Sequence, residues 1–169
     1  MGPKKDVIDI VTELGGIKNP EEGRAVLEAK MDAANQAKLS QINNPEILKK
    51  MANAAVLCEP DAVFIATGSE EDRQFVRDLS LEKGEESKLP MEGHTIHYDL
   101  KEEQGRIIDR TFYIHNEGEE VNTLALKKDR AEALDDIRDK MTGIMKGKVM
   151  MVGFYMRGPV AAEPPNPPP

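Results

Sequence analysis

An α/β chain, with α+β as the neighbouring class, is what this sequence predicts: N-terminal helices, then a mixed β-sheet flanked by helices. Three observations carry that expectation. Asn19-Pro20-Glu21-Glu22 and Asn44-Pro45-Glu46 each combine a capping side chain, a proline at the first helical position and acids in the first turn. After Glu59-Pro60 the pattern changes, and Ala62 to Ala66 is a short continuous apolar run of the kind a strand covered on both faces shows. A second such run, Val149 to Met156, follows Lys146-Gly147-Lys148 and aims at Gly158-Pro159.

Element by element, Val7 to Leu14 predicts a short amphipathic helix stopped by Gly15-Gly16. From Asn19 a helix is expected to run to about Ser40, burying Leu27, Met31 and Ala34. From Asn44 a third helix turns Ile47, Leu48, Met51 and Ala55 inward. Beyond the first strand, Thr67 or Ser69 caps a helix with three acids in its first turn and Phe75 and Leu79 on its apolar edge. His94 to Leu100 and Arg106 to Ile114 read as two strands joined by Lys101 to Gly105. Lys127 to Met145 reads as a helix with Leu134, Ile137, Met141 and Ile144 on one face and Gly147 as its cap. Residues 1–44 are thus expected as a helical segment, 45–159 as an α/β domain and 160–169 as a proline-rich disordered tail. Pro164 to Pro169 can add neither helix nor ladder bonds, so the chain is expected to stop partway through something larger.

Composition narrows the function. The formal charge is −8, and residues 68 to 104 carry eleven Asp and Glu against five Lys and Arg. That balance argues against nucleic-acid binding, which needs cationic phosphate contacts. The single cysteine, Cys58, excludes an intramolecular disulfide framework and suits a reducing compartment. With no signal peptide and no run of membrane-spanning length, a cytoplasmic protein without membrane contact is expected.

The familiar chemistries mostly fail on geometry. His94 and His97, three apart on a strand, point to opposite faces, and His97 with Asp99 makes only two ligands. Gly143 to Lys148 is one residue short of the P-loop spacing and runs from helix to strand, the reverse of what a P-loop needs. Gly68-Ser69 could offer N–H groups to an anion, but the acids beside it would repel one, which favours simple capping. Cys58 has no nearby cation to lower its pKa and reads as a small core residue. Arg106 and Arg110, four apart, share a strand face where guanidinium forks could clamp a carboxylate or phosphate; pairing with the surplus acids is the structural alternative.

Three segments taken in order carry a resemblance. They are Cys58-Glu59-Pro60-Asp61 with Val63 to Asp72, Gly105 to Thr111 (GRIIDRT), and Met145 to Pro159 (MKGKVMMVGFYMRGP). Together the set resembles the N-terminal domain of GTP-dependent phosphoenolpyruvate carboxykinase, nearest its archaeal-type branch, over roughly residues 45 to 159. Thr67 stands where the family usually has Asp. The resemblance implies that Arg106 binds the carboxylate of oxaloacetate or phosphoenolpyruvate. Ile108 occupies the place of a family Glu that couples substrate to a mobile lid, and Arg110 has no family role. It also implies GTP and a divalent metal, Mn or Mg, for the full-length enzyme of gluconeogenesis. The loops for these, the reactive cysteine and the lid would lie beyond this stretch. The chain would then supply one wall of the substrate pocket, be inactive alone, and partner the rest of the enzyme or itself. A non-catalytic binding or regulatory domain, using the acidic face or the proline tail, is the competing reading. If neighbours of the last strand are missing, Met150, Met151, Phe154 and Met156 are expected to be poorly covered, with low solubility or self-association as the result.

Overall fold

The computed structural model describes residues 10–100, 111–121 and 126–155; Arg106, Ile108, Arg110 and Met156 fall outside that set. Helices begin where a side chain can take their first free N–H groups. Helix α1 (Ile10–Gly15) stops at the glycine pair, with Gly16 at φ 82°. Asn19 caps α2 (Pro20–Glu28) through the Glu21 N–H, and Asn44 caps α4 (Pro45–Cys58) through those of Glu46 and Ile47. In both helices proline takes the position whose N–H would have no partner.

The one helix expected from Asn19 to Ser40 is two. The chain leaves the ladder after Glu28, and Asp32 starts α3 (Ala33–Ser40) by accepting from the Asn35 N–H. The break releases the Lys30 carbonyl to accept the Val63 N–H at 2.9 Å. The Gln36 amide donates to the carbonyls of Glu28 and Met31. Backbone groups that lost helical partners are therefore satisfied. Leu27, Met31 and Leu39 are buried, but Ala34, expected inward, is exposed because the break resets the helix phase.

Strand β1 (Ala62–Ala66) lies parallel to the last strand of the described chain, Val149–Gly153, with Ala62 opposite Val149 and Ala66 opposite Gly153. Val63, Ile65, Met150 and Val152 join Leu27, Leu48 and Met51 in the core. Burying such side chains contributes about 1.5–3 kcal/mol each. On the opposite face Phe64 stacks on Phe75 of α5 (Glu70–Lys83), ring centroids 4.3 Å apart. The far edge of β1 is closed, because Val63 is bonded to Lys30 and the Ile65 N–H reaches Asn35 Oδ1 at 2.8 Å.

Two more strand pairs complete the described β structure. Strands β2 (Ser87–Lys88) and β3 (Thr95–Ile96) pair antiparallel; β4 (Phe112–His115) and β5 (Leu126–Asp129) pair in parallel. Parallel and antiparallel pairing coexist, as a mixed α/β architecture requires. Of the strand expected from His94 to Leu100 only Thr95–Ile96 forms a ladder; Tyr98 and Leu100 are exposed, so no burial holds residues 97–100 against a neighbour. Helix α6 (Arg130–Met141) starts later than expected because Leu126–Asp129 is taken up by β4, and the Asp129 carboxylate caps it. Its C-cap is Thr142 rather than Gly147, its buried residue is Ala133, and Ile144 is exposed. Val149–Gly153 is β6, with Met150 buried, against expectation, and Met151 and Phe154 exposed. Among the described residues no helix is long and apolar enough to cross a membrane.

Candidate functional site

The first and last of the three signature segments meet as neighbours. At the amino ends of β1 and β6 they interlock through the backbone. Cys58 O accepts the Met145 N–H at 2.9 Å, Leu57 O accepts that of Gly143, and the Asp61 N–H donates to Lys148 O. The Asp61 carboxylate accepts from the Gly147 N–H at 3.0 Å, and Lys146 pairs with Glu59. Pro60 is fully buried, and its carbonyl accepts from Lys30 Nζ at 2.7 Å. The Cys-Glu-Pro-Asp turn is therefore the socket for Met-Lys-Gly-Lys, and it sets the β1–β6 register. Cys58 is buried, and burial raises its thiol pKa, which leaves it a core residue without a thiolate to offer.

At the carboxyl ends the two strands open onto solvent. Here Asp72 is buried and accepts three bonds: from the Thr67 N–H at 2.8 Å, the Thr67 hydroxyl at 2.6 Å and Lys38 Nζ at 2.6 Å. Lys38 also donates to Ile65 O and lies over the Phe64 ring, 4.5 Å from its centroid. The Lys38 ammonium first, and then the Thr67 hydroxyl and amide, hold the Asp72 pKa down to about 2 from the ordinary 3.8. Ser69 caps α5 through the Asp72 N–H. The Gly68-Ser69 turn is thus a cap organised by an ion pair, and the Asp72 N–H in the first turn of α5 is committed to it.

Beyond this turn lies a cleft of about 1050 Å³ between α5, the β2–β3 hairpin and the end of β6. It sits outside the carboxyl ends of parallel strands, the usual position of ligand sites in open α/β sheets. Its wall is mixed in charge. Arg73 is committed to Glu70. Arg77 donates to Gly93 O and Thr95 Oγ1 and, with Lys88, forms no ion pair among the described residues. One oxygen of Glu86 is buried in the wall without a hydrogen-bond partner. Phe154 and Tyr155 form the rim from the β6 side.

The other candidates separate. His97 bonds to Glu85 O and to Asp99 Oδ1 at 3.1 Å, and His94 to Glu92 O. Among the described residues no group of three His, Cys, Asp or Glu is placed to hold a metal ion. Gly143 to Lys148 does run from helix to strand. Arg106, the candidate carboxylate ligand, and Arg110 lie outside the described residues. The Lys38–Asp72 pair was not foreseen, because thirty-four residues separate its members and each reads alone as a surface charge. The visible signal was Thr67, able to donate twice to an acid one helical turn on.

Comparison with known proteins shows the family. The family model described as the phosphoenolpyruvate carboxykinase N-terminal domain matches residues 50–167. The chain is 39% identical over 123 residues to the phosphoenolpyruvate carboxykinase [GTP] of Saccharolobus solfataricus, covering 72% of this chain and 20% of that protein. It is 40% identical over 136 residues to the protein of the same name from Thermococcus kodakarensis, covering 79% and 21%. Thermococcus sibiricus has another at 39% over 136 residues, with the same coverage. The chain spans about a fifth of the length of the curated relatives it matches. With its signature segments joined as adjacent parallel strands, the chain belongs to the phosphoenolpyruvate carboxykinase family, in the part described as the N-terminal domain.

Proposed function

We propose that this chain is the N-terminal, substrate-binding portion of a GTP-dependent phosphoenolpyruvate carboxykinase. The observation that carries the reading is the family match over residues 50–167, which spans the GRIIDRT segment containing Arg106. In this reading residues 45–159 hold the family portion, with a helical segment before it and a proline-rich tail after it. Arg106 holds the carboxylate of oxaloacetate or phosphoenolpyruvate. Its planar fork donates two parallel N–H bonds to the two carboxylate oxygens and never titrates, so it orients the substrate without exchanging a proton. GTP and a divalent ion, Mn or Mg, would neutralise the charge that develops during phosphoryl transfer. No described residue of this chain is assigned to hold them. The reaction runs in the cytoplasm as part of gluconeogenesis.

Two outcomes test this. Titrating phosphoenolpyruvate into the ¹⁵N-labelled chain should give saturable shifts with a Kd on the order of 1 mM. Arg106→Gln should weaken that binding at least about tenfold, and Arg106→Lys should restore little of it because a point charge lacks the fork. Binding that ignores Arg106→Gln would sink the assignment. Purified alone, the 169-residue chain should convert no oxaloacetate with GTP and Mn; turnover above the uncatalysed rate would show that it carries the whole site.

A further inference from the structure

Helix α3 does more than close the edge of β1, because one of its side chains sets the direction of α5. The helix itself is firmly held. Leu39 is fully buried, and the Arg24 guanidinium donates to the carbonyls of Leu39 and Ile42 at 3.2 Å each. From this base Lys38 Nζ reaches Ile65 O at 3.0 Å and Asp72 Oδ1 at 2.6 Å while lying over the Phe64 ring. Asp72 is the one buried residue of α5, and a carboxylate placed there needs its cation. Its second oxygen holds Thr67, next to Gly68 at φ 84°. Beyond Asp72 the attachments change in kind. Phe75 stacks on Phe64 but stays 41% exposed, and Val76, Leu79 and Leu81 are half-buried. Arg77 donates to Gly93 O and Thr95 Oγ1, the Glu85 N–H to Ser80 O and the Leu89 N–H to His94 O. Among the described residues, every hydrogen bond and ion pair of residues 73–96 stays within residues 69–97. Helix α5 and the β2–β3 hairpin are therefore one internally braced arm, and that arm is a wall of the cleft.

We propose that Lys38 is the positioning residue of this cleft wall: acting through Asp72 it aims α5, and without it residues 73–96 turn as one arm about the Thr67–Asp72 joint and the cleft changes width. The kind of anchor is the physical reason. An apolar face resists tilting along its whole length, whereas a polar contact at one end leaves a lever. With 14 residues α5 is about 21 Å long, so a tilt of about 15° at its first turn displaces its last turn by roughly 5 Å. The Lys38 ammonium resists that tilt because its charge-assisted bond crosses the joint, from a fixed helix to the first turn of a movable one. Its neighbours cannot replace it. Asp32 and Glu71 are acids, and Arg73 is paired with Glu70. Since α3 precedes residues 50–167, the stretch that the family model matches, this wall is aimed from the N-terminal helical segment.

Distances between paired spin labels on the intact 169-residue chain test this. One label sits on the arm at Lys83→Cys and the other on α4 at Lys50→Cys, both exposed, while Cys58 is buried. Lys50→Cys with Glu22→Cys on α2 is the control pair within the body. Lys38→Met should broaden the arm–body distribution at least about twofold and leave the control pair unchanged. Asp72→Asn should broaden it as much, and the double variant no further, because the two residues act as one unit. Lys38→Arg keeps the charge and should return the width most of the way to wild type. A distribution that ignores Lys38→Met overturns the proposal. So does additive broadening in the double variant, since the two residues would then act separately. An arginine variant as broad as the methionine one overturns it too, by making the effect one of shape. Should Lys38→Met unfold, seen as loss of the control distance, Asp72→Asn and Lys38→Arg decide.

Discussion

Replacing Asn53 by leucine should cost about 4 kcal/mol of unfolding free energy and lower Tm by on the order of 10 °C. Asn53 is fully buried on the apolar face of α4. Its Oδ1 accepts the Ile17 N–H at 2.7 Å, and its Nδ2 donates to Ile17 O at 2.9 Å and Lys49 O at 2.8 Å. One side chain thereby acts as a strand partner for a residue that has no ladder. Leucine has nearly the same volume, so the cavity term is small. The cost comes from leaving the donor and acceptor of Ile17 in a dry core. Gly15 shows how close the packing is, since a Cβ there would lie 2.4 Å from Asn53 Oδ1. Thermal unfolding of Asn53→Leu and Asn53→Asp separates the contributions. Aspartate keeps the acceptor for Ile17 N–H but not the donors, and should fall between leucine and wild type at pH 7. A shift below about 2 °C for leucine would mean that Ile17 is solvated in solution.

Asp72→Asn is the second large effect, about 2 kcal/mol above pH 5, because a charge-assisted network loses its charge. The pH dependence identifies the cause. A carboxyl whose folded pKa is depressed adds stability that is complete above its unfolded value and is lost as pH falls through its folded value. For Asp72 that window runs from the ordinary 3.8 down to about 2. Urea titrations should therefore show wild type and Asp72→Asn separated by a constant amount above about pH 5, converging between about pH 4 and pH 2. Of the other lowered carboxylates, Asp32 and Asp136 act in both proteins and drop out of the difference, whereas Glu71, which the Asp72 charge pushes up, adds a smaller contribution to it. A gap that persists unchanged to pH 2 would assign the effect to shape and not to charge. Because Asp72 holds the Thr67 turn, the same variant should loosen the mouth of the cleft, read as faster hydrogen exchange at Thr67 and Asp72.

What was legible in the sequence was local. The starts of α2 and α4 followed from Asn-Pro-Glu, since capping is decided within four residues. The five residues of β1 were marked by an unbroken apolar run between Pro60 and Gly68. The Ser69 cap of α5 and the left-handed stop at Gly84 are likewise short-range matters. The family was legible too, because its signature segments are contiguous strings in a fixed order.

What stayed hidden was every choice made by a partner far along the chain. No glycine or proline marks the break between α2 and α3; the Lys30 carbonyl leaves the helix to serve Val63, thirty-three residues on. Lys127 to Asp129 reads as the start of a helix, yet together with Leu126 it pairs with β4 and delays α6. The expected exposure of Met150 failed because β6 turns it, with Val152, onto the helical core, whereas Met151 on the other face is exposed. Lys38 and Asp72 were ordinary surface charges until α3 and α5 were brought to the same end of β1. By itself, the sequence determined the family, the caps and the strand that opens the sheet, since those rest on contacts within a few residues. Only the tertiary structure decided which groups are paired, which edge of the sheet is closed and which is open. Those outcomes depend on backbone donors and acceptors meeting across the chain, and single-sequence periodicity carries no record of such meetings.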